Sequence, residues 1–221
     1  MKHIVVDLEM NPIETCYKEE RAICRNEIIE IGAVILDENF QEIGSFMTYV
    51  KPQYNQNIEK KIRKLTGITY DMVANAPGFE EAFQMFVSFI GSVKGEVEIC
   101  QWSDSDYTQI AKEMQLKNYE MNECEQEIME NWVDFQDEFG KQLGIERQLS
   151  LRSALTYAGL EFEGRQHDAL FDARNTAELL SIARVEDKRK NTLDLISKML
   201  KPSEFTTSLG SMFDFSQFTF A

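Results

Sequence analysis

Three apolar runs near the start of the chain predict the first strands of a sheet. The first covers 3–9 and contains Ile4-Val5-Val6, while the second and third cover 27–36 and 43–50, the last ended by Pro52. β-Branched residues in nearly unbroken apolar runs favour strands that are buried on both faces. Because short connections join the three segments, we expect an antiparallel meander.

The rest of the chain alternates between strand and helix patterns. Asn11-Pro12 is a turn signal after the first strand, and the polar stretch 14–26 predicts a loop. Further strands are predicted at 97–102 and 129–135, and helices are predicted where apolar residues recur at helical spacing or where a side chain caps the start. These helices cover 58–65, 79–90, a segment ending near 116, 135–143, 150–158 with Ser150 as N-cap, 168–185 with Asp168 as N-cap, and 188–200.

The last segment, 203–221, has a different composition from the rest of the chain. It contains five phenylalanines and many Ser and Thr residues, and Phe213-Asp214-Phe215 and Phe218-Thr219-Phe220 alternate at strand period. Such a tail can add a strand to a sheet edge, dock on the folded body or stay disordered. We expect docking, either on this chain or on a protein partner.

Composition and charge narrow the class of protein. At 221 residues the chain is long enough for one hydrophobic core. Its 38 acidic and 23 basic residues give a net charge of −15, which argues against coating of nucleic acid through a broad basic surface. We recognise no apolar run of roughly 20 residues and no signal peptide, so no membrane contact is expected. Four cysteines without a C-x-x-C pair predict reduced thiols in a cytoplasmic protein.

One pair of acidic residues lies at the end of a predicted strand, and another directly follows a predicted strand. Asp7 and Glu9 are two residues apart, so their side chains point the same way from the first strand. Carboxylates at the end of a buried strand repel each other, and a divalent cation held between them removes that cost. Both acids facing water is the alternative that this pair alone leaves open. Asp104 and Asp106 follow the fourth predicted strand, where loops and helix N-termini gather ligands.

A histidine and an acid stand close together late in the chain. His167 and Asp172 are five residues apart, about 140° around an ideal helix, so they would not share one helix face. From the loop before the helix, His167 can reach over a site that Asp172 approaches from the helix, as a general base would. The alternatives are a loop histidine bonded to nearby backbone and an acid favoured by the helix dipole. The other histidine, His3, is expected to be exposed on the first strand.

The densest basic cluster of the chain lies on the predicted helix 58–65. Its members are Lys60, Lys61, Arg63 and Lys64. This cluster is either a solvated helix face or a patch that faces phosphate groups, and its composition does not distinguish the two.

Together, the order and spacing of these motifs resemble the DEDDh 3′–5′ exonucleases of the ribonuclease-H-like fold. The resemblance covers about residues 1–185. It rests on Asp7-Leu8-Glu9, on Trp102-Ser103-Asp104-Ser105-Asp106, on HDALFDARN at 167–175, and on the supporting stretches EIIEIGA at 27–33 and LTGIT at 65–69. The tryptophan of the second motif is most similar to the histone-mRNA 3′-end and sporulation-inhibitor-like subgroup. That subgroup usually has Gly where this chain has Ser103.

The resemblance implies a fold and a domain organisation. The fold would be α/β, a ribonuclease-H-like three-layer arrangement with helices flanking a mixed five-stranded sheet of three antiparallel strands followed by two parallel ones. The exonuclease domain would cover 1–185, followed by a C-terminal helix at 186–202 and the aromatic tail at 203–221.

The resemblance also implies a reaction. It would be hydrolysis of terminal phosphodiester bonds in single-stranded nucleic acid with a free 3′ end, RNA favoured over DNA, with release of nucleoside 5′-monophosphates. Two Mg²⁺ or Mn²⁺ ions about 4 Å apart would clamp the scissile phosphate. One ion would activate water, with His167 taking its proton, and the other would stabilise the leaving 3′ oxygen.

The family's functional residues map onto this chain position by position. We prefer Asp106 to Asp104 for the third acid because it fits the subgroup's spacing from the tryptophan, and Asp104 would then cap the helix. Residue by residue, the metal ligands would be Asp7, Glu9, Asp106 and Asp172, the general base His167, the contact to the last base Met10, and the contacts to upstream phosphates Lys60, Lys61, Lys64 and Arg165. For Met10, a place in the hydrophobic core is the alternative.

A catalytically silent interaction protein on the same fold is the main alternative. It would use the acidic surface and the aromatic tail as binding elements. The complete set of acids together with His167 argues against it, since a silent copy could lose these residues freely.

Overall fold

The fold is organised around one mixed sheet. The computed structural model describes residues 1–93, 95–142 and 148–200, the last five of them by their backbone. Its strands are β1 (Lys2–Pro12), β2 (Asn26–Leu36), β3 (Glu42–Tyr49), β4 (Val97–Gln101) and β5 (Trp132–Asp134), arranged in the order β3-β2-β1-β4-β5. β1 pairs antiparallel with β2, and β2 with β3, whereas β4 runs parallel to both β1 and β5. The predicted mixed five-stranded sheet is therefore confirmed.

Helices cover both faces of this sheet. In the described residues they are α1 (Lys18–Ile23), α2 (Lys60–Thr66), α3 (Tyr70–Val73), α4 (Phe79–Gly91), α5 (Ser105–Lys117), α6 (Glu123–Glu130), α7 (Phe135–Gln142), α8 (Leu151–Tyr157), α9 (Ala169–Arg184) and α10 (Glu186–Leu200). Every residue of β2 after Asn26 is buried, as expected for a central strand with helices on both sides. The N-caps predicted at Ser150 and Asp168 are both present, each accepting a backbone N–H from the first turn of its helix.

The alternation of side chains along β1 divides the core into two halves. Ile4, Val6 and Leu8 point to one face, where they pack with the apolar stripe of α4 and with α5. Val5 points to the other face, where α7, α8 and α9 pack. The odd-numbered residues of β1 therefore face α9, and this parity decides where Asp7 and Glu9 point.

Several local predictions were wrong because contacts distant in sequence override the local signals. Asn11-Pro12 continues β1 instead of turning: the Asn11 side chain is buried, donates to the Asn57 carbonyl and accepts from the Glu59 N–H. The stretch 14–26 contains α1. The predicted strand 129–135 is shortened to β5, since α6 begins upstream with a capping box between Asn122 and Glu125.

His3 is also placed differently from the prediction. It is buried, only 5 % exposed, because its ring stacks on Phe40 with centroids 4.8 Å apart. Its Nδ1 lies 3.0 Å from Glu98 on the neighbouring strand β4. This pair sits at the start of the parallel strands, at the opposite end of β1 from Asp7 and Glu9.

Three further predictions concern the cysteines, the C-terminal tail and membrane-spanning segments. The four cysteines are unpaired, as predicted. The tail at 203–221 lies outside the described residues, so its docking stays a prediction. Within the described ranges, no helix combines the length and the apolar character needed to cross a membrane.

Candidate active site

Two carboxylates leave the end of β1 on the side of α9. Asp7 lies opposite Gly32 of β2, and Glu9 lies opposite Glu30. A β-bulge follows at once, between Glu9 and Met10, where the register with β2 shifts. Such bulges bend a strand and re-aim the side chains next to them.

The third acid comes from the turn that follows β4. Trp102 anchors this turn: its indole N–H donates to the Leu149 carbonyl at 3.1 Å, and its ring packs on Phe135 and Phe139. Ser103 has φ 85°, a left-handed conformation that glycine adopts without strain, which agrees with the glycine that the resembling subgroup has here. The turn delivers Asp106 into the first turn of α5, with only 4 % of its surface exposed.

The fourth acid and the histidine come from α9 and the loop before it. Asp172 lies in the first turn of α9, and the Asp168 side chain caps that helix by accepting the Phe171 N–H at 3.3 Å. The exposed His167 precedes the cap with φ 60°, and its backbone N–H donates to Asp172 Oδ2 at 3.3 Å. This bend turns the chain so that the His167 ring and the Asp172 carboxylate meet, although they could not share a helix face.

Three of the four acids and His167 line one cleft, and Asp172 lies beside it. A cleft of about 350 Å³ is lined by Asp7, Leu8, Glu9, Met10, Asn26, Ile62, Trp102, Ser105, Asp106 and His167. One ligand atom each from Glu9, His167 and Asp172 lies within 4.8 Å of the others. Strand β1, the turn after β4 and the start of α9 thus each bring part of the predicted constellation to the same place.

The electrostatics of the cleft favour a bound cation. Burial raises the pKa of Glu9 and of Asp106 to about 8 each, and that of Asp172 to about 7, with repulsion between the acids adding to the effect. Burial, and then repulsion from Asp106, Asp172 and Glu9, also raises the pKa of Asp7 well above its usual range. Asp172 Oδ1 is buried and has no hydrogen-bond partner among the described residues. Crowded, desolvated oxygen donors of this kind are the donor set that Mg²⁺ and Mn²⁺ take.

A match to a protein-family model identifies the family of this chain. The exonuclease family model RNase_T matches residues 4–180, which include all four acids and His167. The chain belongs to the exonuclease family. The match ends within α9, so the domain boundary near 185 and the division of 186–221 stay predictions.

Individual exonuclease relatives agree with this assignment. ERI1 exoribonuclease 2 of Danio rerio is 31% identical over 80% of this chain, and 3'-5' exoribonuclease 1 of Rattus norvegicus is 26% identical over 79%. This chain spans 34% of the first relative's length and 50% of the second's. The solved nuclease domain of 3'hExo, described as a DEDDh family member bound to rAMP, superposes with a TM-score of 0.70 at 22% identity, covering 81% of this chain and 90% of that one.

The residues expected to contact an exonuclease substrate differ in how close they lie to the cleft. Met10 is half-buried and lines the cleft beside Ile62 of α2, a lining residue that the sequence reading did not single out. Lys60, Lys61 and Lys64 are exposed on the same helix, and within the described residues none of the three forms an ion pair.

Arg165 and Asp104 lie outside the cleft lining. Arg165 pairs with Asp168 at 3.5 Å, and its guanidinium lies against Gly67 at the end of α2. Asp104 occupies the N-cap position of α5 but is exposed and makes no side-chain cap bond, so its predicted capping bond is absent. Asp106 is therefore the acid of this motif that the fold buries at the cleft.

Glu30 is a buried acid near the site that the sequence analysis mentioned only as part of the stretch 27–33. Glu30 lies in the middle of β2, is 1 % exposed, and accepts the Ala169 N–H at 3.1 Å. Burial raises its pKa to about 7. The available signal was its position: Glu30 interrupts the otherwise apolar run 28–36, where an acid is costly to bury unless it has a specific partner.

Proposed function

We propose that this chain is a metal-dependent 3′–5′ exonuclease. It hydrolyses the terminal phosphodiester bond of single-stranded nucleic acid with a free 3′ end and releases nucleoside 5′-monophosphates. The observation that carries this proposal is that Asp7, Glu9, Asp106 and His167 line one cleft, with a donor atom of Asp172 within 4.8 Å of those of Glu9 and His167. Membership of the exonuclease family supports it.

The residues that would hold the metal are Asp7, Glu9, Asp106 and Asp172. Four carboxylates balance the charge of two divalent ions, and Asp172 Oδ1, which accepts no hydrogen bond from the part of the chain that the structure describes, is available as a donor atom. When bound, two Mg²⁺ or Mn²⁺ ions supply Lewis-acid polarisation of the scissile phosphate and an attacking water of lowered pKa. The raised pKa values of these acids show that their charged forms are unfavourable without a cation, and bound metal ions would stabilise those charged forms.

His167 would accept the proton of the attacking water. Its side chain is exposed on the loop before α9, within 4.8 Å of the donor atoms of Glu9 and Asp172, so it can exchange that proton with solvent. Histidine is the side chain that most often serves as a general base. The backbone bond to Asp172 restrains the loop without occupying the ring nitrogens.

Met10 and the exposed lysines of α2 would contact the substrate. The apolar side chains of Met10 and Ile62 line the cleft and offer a surface for the terminal base. Lys60, Lys61 and Lys64 project from the helix that carries Ile62, where they can meet upstream phosphates. We include Arg165 as a weaker phosphate contact, because it is half-exposed but already paired with Asp168.

RNA is proposed over DNA because the relatives at 31% and 26% identity are named exoribonucleases. We expect 5′-labelled single-stranded RNA to shorten from its 3′ end with Mg²⁺ or Mn²⁺, and DNA of the same sequence to shorten more slowly. EDTA should abolish both reactions. Products resolved on a denaturing gel test the direction, and chromatography of the released nucleotides tests the 5′-monophosphate. Absence of cleavage of either polymer in any metal would shift the assignment to a catalytically silent interaction protein.

The aromatic tail is proposed as a protein-docking element, separate from turnover. Deleting 203–221 is expected to lower solubility or partner binding while leaving kcat on a short oligonucleotide within about 2-fold, since the acids and His167 all lie upstream. Steady-state kinetics beside static light scattering of the truncated and full chains measure both effects. Loss of turnover with an unchanged Tm would contradict this role.

A further inference from the structure

The carboxylate of Glu30 is bonded to the start of α9. The residue lies between Ile29 and Ile31 in β2, and all three are at most 1 % exposed. Its Oε2 accepts the N–H of Ala169, the first residue of α9, at 3.1 Å. N–H groups of the first helical turn have no partner within the helix, and a carboxylate there also complements the helix dipole. Glu30 therefore acts as a cap that the sheet supplies to α9.

Gly32 brings β2 and α9 together at the same point. A Cβ at Gly32 would overlap the backbone of Ala169 and Leu170, so only glycine permits this contact. Glu30 and Gly32 are two residues apart and point to the same face of β2. The strand therefore holds Ala169 in two ways, through a hydrogen bond and through backbone packing.

This attachment lies directly beside the proposed metal ligands. Glu30 is the cross-strand neighbour of Glu9, and Gly32 is the neighbour of Asp7. Three residues after Ala169 comes Asp172, and two residues before it comes His167. A shift of the start of α9 along β2 would move Asp172 and His167 together, relative to the carboxylates fixed on β1.

We propose that Glu30 is a positioning residue: through Ala169 it holds Asp172 and His167 in register with Asp7 and Glu9. The inference rests on the proposed function, because the alignment matters for that metal-dependent reaction. Residues that orient metal ligands from outside the first coordination sphere typically contribute about 10- to 100-fold to metal affinity or activity. The competing interpretation is that Glu30 contributes only to folding stability.

Two substitutions at Glu30 and one matched control separate these interpretations. Glu30→Ala removes the acceptor, whereas Glu30→Gln keeps an oxygen that can accept the Ala169 N–H. The control is Glu27→Ala, because Glu27 is also a buried β2 acid that accepts backbone N–H groups, those of Gln53 and Tyr54, both at 2.7 Å. Glu27 makes these bonds to a loop and not to α9.

We expect Glu30→Ala to lower kcat and to weaken Mn²⁺ binding by about 10- to 100-fold each, with KM for a short oligonucleotide changed less. Glu30→Gln should recover most of both losses. Glu27→Ala should lower Tm while leaving kcat and the Mn²⁺ Kd within about 3-fold of wild type. The Mn²⁺ Kd is measured by electron paramagnetic resonance of the full-length chain, independently of turnover.

Combining Glu30→Ala with Asp172→Asn tests whether Glu30 acts through Asp172. In Asp172→Asn, the additional effect of Glu30→Ala on the Mn²⁺ Kd should shrink to less than about 3-fold, because the ligand being positioned has been removed. Wild-type values for Glu30→Ala, a Glu30→Gln variant as impaired as Glu30→Ala, or full additivity with Asp172→Asn would each overturn the positioning role. Absence of turnover in the wild type would instead refute the proposed function, while the Mn²⁺ series would still test Glu30.

Discussion

Replacing His167 with alanine is expected to lower kcat on a labelled oligonucleotide by about 10²- to 10⁴-fold, the range that a positioned general base contributes. The Tm should change by less than about 2 °C, because the His167 side chain is exposed and only its backbone N–H bonds to Asp172. Its ring lies within reach of the Glu9 and Asp172 donor atoms, where no other histidine stands in for it among the described residues. Steady-state kinetics and a melting curve on the same preparation measure the two quantities.

Two further variants make the result for His167 interpretable. Asp7→Asn should abolish most activity while preserving the fold, since it removes one of the four clustered carboxylates. His3→Ala should have the opposite profile, a lower Tm with turnover largely retained, because His3 is buried against Phe40 and Glu98 at the far end of β1. Full activity of His167→Ala, or unfolding of either active-site variant, would contradict the assignment.

Without metal, the protein is expected to lose stability as pH rises from about 6 to about 8.5. Burial and mutual repulsion raise the pKa of Glu9 and Asp106 to about 8 and that of Asp172 to about 7 in the folded state. The folded chain therefore binds more protons than the unfolded chain between about pH 4 and 8, so its free energy of unfolding falls through this window. The expected change in Tm is a decrease of at least about 5 °C.

Addition of Mn²⁺ should reverse this trend. The cation binds the deprotonated carboxylates, so its stabilisation should be larger at about pH 8.5 than at about pH 6. Scanning calorimetry in EDTA and in Mn²⁺ across that range measures both curves. Asp106→Asn is the internal control, because removing one buried acid should flatten the metal-free slope and reduce the gain from Mn²⁺. A metal-free Tm that rises across this window would show that the four acids do not share the crowded, desolvated environment described above.

The parts of the fold and site that the sequence predicted are those governed by local patterns. Ile4-Val5-Val6 is apolar enough to force a buried strand, and the strict alternation of a strand then places Asp7 and Glu9 on one face. The helix of Asp172 was predictable because its cap, Asp168, lies in the adjacent sequence.

The parts that were missed depend on partners distant in sequence. Asn11 stays in β1 because its side chain bonds to residues 57 and 59, and His3 is buried because Phe40 and Glu98 cover it. Glu30 shows the same limit at the site: its partner Ala169 is 139 residues away. An acid inside an apolar run is recognisable as unusual from the sequence, but only the folded structure shows which group it bonds to.

The position of α2 has a consequence for how a polyanion would approach. The chain carries a net charge of −15, so its average field repels nucleic acid, whereas α2 places Lys60, Lys61 and Lys64 on the helix that contributes Ile62 to the cleft wall. At about 0.1 M salt, fields are screened beyond about 10 Å, so a strand passing close to α2 experiences these lysines more than the distant acids. Productive encounters are therefore expected to be directional and short-ranged, and the rate of association to depend weakly on ionic strength compared with that of a broadly basic nuclease.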